Sequence, residues 1–240
     1  MKKVVFFLIN IFLGVISLFS EEKLNLELLE KYYTAENIPK TEILDFYSKY
    51  KNIYMNNNSQ ENLIEYIKAC TLLSTLYSSG EIPEYQTEIE SVDLNLQNEI
   101  KKYPFSSIEL MAYADYVYSE FSWKKDTTYN IFVLPNIYRR IINLDKSNDE
   151  ALVKLALWYI TASNYFTSNW NSFIAKQEAK IENLSNPDKF NGFLLYSMFY
   201  MKKYDVKKGM MYLNKARELY PENPLTFIIE QNYKNGKIGW

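Results

Sequence analysis

Four residues, Leu152, Leu155, Ala156 and Tyr159, recur at intervals of three, one and three, and Phe193, Tyr196, Ser197 and Tyr200 repeat those intervals further along the chain. That interval set places all four side chains on one face of an α-helix. Large, large, small and aromatic is the pattern one helix needs if a second helix packs closely against its small residue. Further on, Gly209, Leu213 and Ala216 supply small, apolar and small positions for that second helix, and Pro221 follows its end.

Glycine and proline fall between such periodic segments instead of inside them, which is the punctuation of a helical chain. Helices are expected near 23–36, 40–56, 60–79, 83–102, 105–122, 128–144, 148–163, 167–184, 188–202, 205–219 and 223–235. Pro39, Pro83, Pro104, Pro187, Pro221 and Pro224 sit at or beside these starts, where a missing N–H costs little. Ser59, Asn148 and Asp188 supply caps or first-turn acids. Pro135 lies inside Tyr129–Ile142 and predicts a break or kink near Leu134.

Residues 190–223 resemble a tetratricopeptide repeat, with Phe193, Tyr196, Ser197, Tyr200, Gly209, Leu213, Ala216 and Pro221 at its signature places. Residues 141–160 resemble part of a second unit, with Lys146 where that family usually has proline, and the turn "ASNYFTSNWN" displaces the helix that follows Tyr159. The resemblance implies an all-α fold: an irregular TPR-like solenoid of α-α helix pairs, about ten or eleven helices in a single domain over 21–240. It also implies that the first helices line a surface that binds an extended peptide or protein. Carried onto this chain, the groove positions are Asn191, Leu194, Met198, Met201 and Lys202, preceded by Glu150, Val153, Leu157, Ile160 and Thr161. The competing expectation is that N-terminal helices cover these mostly apolar positions.

The start of the chain bears on compartment. Lys2 and Lys3 precede an apolar run from Val4 to Phe19, and Ser20 stands before the polar stretch opened by Glu21 and Glu22. This has the form of a signal peptide over 1–20, shorter than a spanning helix needs. A periplasmic or secreted protein is expected, without stable membrane insertion after cleavage. The only cysteine is Cys70, so no thiol lies near the apolar run for lipidation and no internal disulfide can form. Export with irregular helical repeats also resembles, more faintly, the periplasmic helical components that accompany solute-binding proteins of tripartite transporters. Those are typically lipid-anchored.

Several chemistries are excluded by composition. The chain has no histidine, which removes the commonest general base near neutral pH and the commonest metal ligand. Its six glycines form no phosphate-cradling loop, so neither a metal nor a nucleotide cofactor is expected. Without Lys2 and Lys3 the balance is 25 basic to 29 acidic residues, and only Arg139, Arg140 and Arg217 are arginine. A mildly acidic chain with scattered charge offers no track for nucleic acid.

Two further clusters invite a functional reading. Trp158, Tyr159, Tyr165, Phe166 and Trp170 gather with Asn164, Asn169 and Asn171 around one turn, either as a site for a peptide or small polar ligand or as a packed and capped junction. The packed junction is the expectation, with Trp170 and Asn171 retained as partner-binding candidates. Trp240 is expected to pack on the last helix. Glu84 and Glu88, with Glu81, Glu90 and Asp93 nearby, could serve acid–base cleavage of a glycan. Glutamates four apart on one helix are more simply a solvated face. The expectation is therefore a binding protein and not an enzyme, with a protein or peptide partner and self-association as a further option.

Overall fold

A computed structural model describes residues 27, 28, 30, 31, 34, 40–100, 105–124, 126–162 and 170–237. The expected leader at 1–20, most of the expected helix 23–36, Pro39, Pro104, Asn164, Tyr165, Phe166, Asn169 and Trp240 lie outside them. The described residues are all-helical, with no strand among them.

Among the described residues from 40 onward ten α-helices follow one another: α1 (Lys40–Asn56), α2 (Gln60–Ser78), α3 (Gln86–Ile100), α4 (Ser107–Ser119), α5 (Thr128–Leu144), α6 (Asp149–Thr161), α7 (Asn171–Gln177), α8 (Asn186–Lys202), α9 (Val206–Leu219) and α10 (Pro224–Lys234). Short 3₁₀ turns precede α3 (Pro83–Tyr85) and follow α4 (Glu120–Ser122) and α7 (Glu178–Asn183). The starts are chemically specified. The side-chain oxygens of Ser59, Asn148, Ser185, Asp205 and Asn223 each accept a first-turn backbone N–H. Glu109 reaches back to the Ser106 N–H at 2.6 Å.

Consecutive helices pack as neighbours, α1 on α2, α4 on α5, α5 on α6 and α8 on α9, and alternate ones also meet, α2 with α4 and α6 with α8. The contact between α8 and α9 closes at the two small residues the periodicity singles out. A Cβ added to Gly209 would stand 3.0 Å from the Ser197 carbonyl oxygen and 2.5 Å from Met201 Cγ. Ser74 and Ser119 hydroxyls meet at 2.7 Å between α2 and α4, and the Trp123 indole N–H donates to Ser74 at the same distance.

Of the break or kink expected near Leu134, the break does not occur: α5 is continuous across Pro135. Proline removes one backbone bond and crowds the preceding turn. Here Leu134, Pro135, Ile137 and Tyr138 are all buried, so packing holds the helix together. The Asn136 side-chain amide adds a bond to the Phe132 carbonyl at 3.0 Å.

Helices α4, α6 and α8 are buried over most of their circumference, whereas α5 buries one side only. Leu28 is fully buried, Lys31 bonds Glu42 of α1, and the charge of Glu30 acts on Tyr220 just beyond α9.

Candidate functional site

Most of the first-helix positions carried over from the repeat resemblance point into the protein. Asn191, Leu194 and Met201 are buried, as are Val153, Leu157 and Ile160 in the preceding unit. Met198, Glu150 and Thr161 are half-buried, and Lys202 is exposed. Burial makes Asn191, Leu194 and Met201 packing residues of the folded chain. Of these positions only Met198, Lys202, Glu150 and Thr161 keep surface that an external partner could meet.

The outer side of α5 presents a different surface. Tyr129 and Phe132 are 55% and 58% exposed, one turn apart. Asn136, Arg139, Arg140, Asn143 and Leu144 are exposed further along the same helix. No acidic residue occurs between Asp126 and Asp145, in a chain whose overall balance is acidic. Two of the three arginines therefore share one acid-free face with two exposed aromatic rings.

Arg139 is held in place. Its Nη1 donates to Asn136 Oδ1 at 2.9 Å and its Nη2 donates to the Tyr159 hydroxyl at 2.8 Å. Tyr159 is itself fixed, stacked on Trp170 with ring centroids 3.9 Å apart and edge-on to Phe173 at 5.7 Å. This brings Trp170 into the surface, half-buried, with Asn171 exposed beside it at the start of α7. Both brackets on the guanidinium are neutral. Neither Arg139 nor Arg140 has an acidic partner among the described residues, while Arg217 pairs with Glu230 at 2.9 Å. The result is an oriented cation with no acidic partner among the described residues.

The buried ionisable groups have structural work to do. Lys154 Nζ lies 2.8 Å from Asp115, 2.9 Å from Glu150 and 3.8 Å from Asp188, tying α4, α6 and the start of α8 together. Burial pushes Asp115 well above the usual carboxylate range, with Lys154 pulling against it, and pushes Asp188 up to about 6. Burial disfavours the Lys154 ammonium, but the three carboxylates outweigh it and raise its pKa.

A second cluster joins α3, the turn after α4, and α5. Lys124 Nζ is 2.7 Å from both Asp93 and Glu120, and Asn130 Nδ2 donates to Glu120 at 2.6 Å and to the Val117 carbonyl at 3.0 Å. Burial and the adjacent Asp93 push Glu120 up to about 8. Burial raises Asp93 too, but bonds from Glu120 and Lys124 prevail and hold it below its ordinary value. Glu84 and Glu88, the carboxylates with the spacing for acid–base chemistry, have separate partners. Glu88 accepts the Tyr47 hydroxyl and Lys51, and Glu84 is exposed near Lys40. Asp93 meets Glu120 instead. No group of three or more acidic or cysteine side chains among the described residues is placed to hold a metal ion.

The sequence singles out Trp170 and Asn171 but not the link from Trp170 to Arg139, which runs through the ring and hydroxyl of Tyr159. The available signal is the acid-free run 127–144 with Asn136 three residues before Arg139, a spacing that lets the two side chains meet on one helix. The chain matches no protein-family model, no curated protein and no solved structure.

Proposed function

We propose that this chain is an exported, TPR-like adaptor or scaffold that binds a protein or peptide partner in the cell envelope, through the outer face of α5 and not a first-helix groove. The observation that carries the reading is the outward stripe of Tyr129, Phe132, Arg139 and Arg140, beside first-helix positions that are already packed. Exposed aromatics and arginines are the side chains that concentrate binding energy at interfaces. The helix pairing supports a repeat-like arrangement, with α1 on α2, α4 on α5, α6 on α7 and its 3₁₀ turn, and α8 on α9, followed by α10. In such an arrangement each pair contributes surface to its neighbours, and what lies outside is available for recognition. The basic head and apolar run before Ser20 support export. No helix among the described residues is long and apolar enough to cross a membrane.

Placing a photoreactive amino acid at Phe132 in the native host tests this reading. A discrete cross-linked product at Phe132, absent when the probe sits at the equally exposed Phe227, is the expected outcome. Equal labelling at both positions, or none at either, would remove α5 as the recognition surface.

A further inference from the structure

We infer that the α5 face reads a carboxylate, and that its partner is a polypeptide segment carrying an acidic side chain beside an apolar or aromatic one. This rests on the outer-face reading and specifies what that face takes. Arg139 is bracketed by Asn136 and by Tyr159, which Trp170 holds in turn, so its guanidinium is oriented before any partner arrives. Both contacts use neutral acceptors and leave the remaining N–H donors of the guanidinium unassigned. A planar, oriented guanidinium without a counter-charge matches a carboxylate in two-point geometry, and pre-organisation reduces the entropy lost on binding. Arg140 adds a second exposed cation one residue on, and no acid on α5 competes with an incoming one.

Spacing narrows the partner further. Phe132 and Arg139 are two helical turns apart, roughly 10 Å along the axis. The Arg139 head is drawn back to Asn136, one turn nearer Phe132, so the partner should carry its carboxylate within about 10 Å of its apolar group, as up to three residues provide in an extended segment or up to seven on a helix. An anionic membrane surface fits less well. The basic charge of the α5 face itself is two arginines, fewer than the cluster of about four to eight that anionic lipid binding draws on, and the flanking Lys124, Asp126, Asp145 and Lys146 carry both signs.

Selection of a random 12-residue phage-displayed peptide library on the purified folded chain tests this, followed by affinity measurement on synthetic versions of the enriched peptides. Enriched sequences should carry Asp or Glu at the spacing given above from an aromatic or aliphatic residue. Replacing that acid with its amide, or Arg139 with Gln, should each weaken binding about tenfold or more, as loss of a charge-assisted contact does. Arg139→Lys should recover little, because a point charge does not reproduce the fork. Vesicles containing 30% phosphatidylglycerol form the second arm and should not bind. Three results would overturn the inference: no enrichment, enriched peptides indifferent to the amide change or to Arg139→Gln, or vesicle binding lost in the same variant. Any of these leaves the cross-link at Phe132 as an independent measure of whether α5 is a recognition surface at all.

Discussion

The Lys154 ammonium sits 2.8 Å from Asp115, and both side chains are buried, so an ion pair between α6 and α4 is sealed inside the protein with Glu150 and Asp188 close by. Removing one member strands the other charges away from water. Lys154→Met should therefore destabilise the fold by about 3–5 kcal/mol in urea titration, and Lys154→Met with Asp115→Leu should recover part of that loss. A double variant no more stable than the single one would show that the pair is not what the lysine supports.

The α8–α9 contact yields a steric prediction. A methyl group at Gly209 would meet the Ser197 carbonyl, which is backbone and cannot swing aside, as well as the more yielding Met201 side chain. Gly209→Ala should cost about 1–3 kcal/mol, measured as a lowered urea midpoint with unchanged slope. Combining it with Met201→Ala should not restore the midpoint, because the carbonyl stays where it is.

Stability should fall as pH rises through neutrality. Glu120, raised from 4.5 to about 8, and Asp188, raised from 3.8 to about 6, bind protons more tightly folded than unfolded. Between each pair of values the native state holds more protons than the unfolded chain, so the derivative of unfolding free energy with pH is negative there. The contribution of Glu120 is fully present below about 4.5 and lost as pH rises through about 8. Glu88, Asp93 and Glu178 have the opposite sign, since their net shifts are downward, and their contributions fade at the acid end. Thermal melts from pH 5 to 9 should show a decline in Tm that Glu120→Gln flattens above pH 6. An unchanged slope in that variant would assign the decline to other groups.

Tyr159→Phe separates positioning from packing at the α5 face. It keeps the ring stacked on Trp170 and removes only the hydroxyl that accepts from Arg139. The loss of one half-exposed hydrogen bond should change stability by about 1 kcal/mol or less, while binding of an acidic peptide weakens. Equal affinity in wild type and variant would mean that the bracket on Arg139 does not matter to recognition.

Much of the helical layout is legible in the sequence because its signals are local. The expected 40–56 and 128–144 coincide with Lys40–Asn56 and Thr128–Leu144, and Ser59 and Asn148 cap the helices they precede. Pro135 shows the limit of a local signal: its cost is local, whereas the burial of Leu134 and Tyr138 that keeps α5 unbroken comes from neighbouring helices. The first-helix positions illustrate a further limit. Periodicity places Leu194 and Met201 on one face, but whether that face meets solvent depends on how the other helices close over it. The pairing of Asp93 with Glu120, and of Arg139 with Tyr159, joins residues far apart in sequence with no spacing rule between them.

The central claim is that the exposed face of α5 holds a partner. It is tested most directly by recovering the tagged, cross-linked chain from the envelope of its native host, as wild type and as Tyr129→Ser with Phe132→Ser, and quantifying co-purifying proteins by mass spectrometry. Both rings are more than half exposed, and a thermal melt of the variant checks that it still folds. The prediction is one stoichiometric partner with the wild type and at least a tenfold loss of it with the variant, on the order expected when two interface anchors are removed. The same partner recovered undiminished with the variant, or a wild-type chain recovered alone, would contradict it.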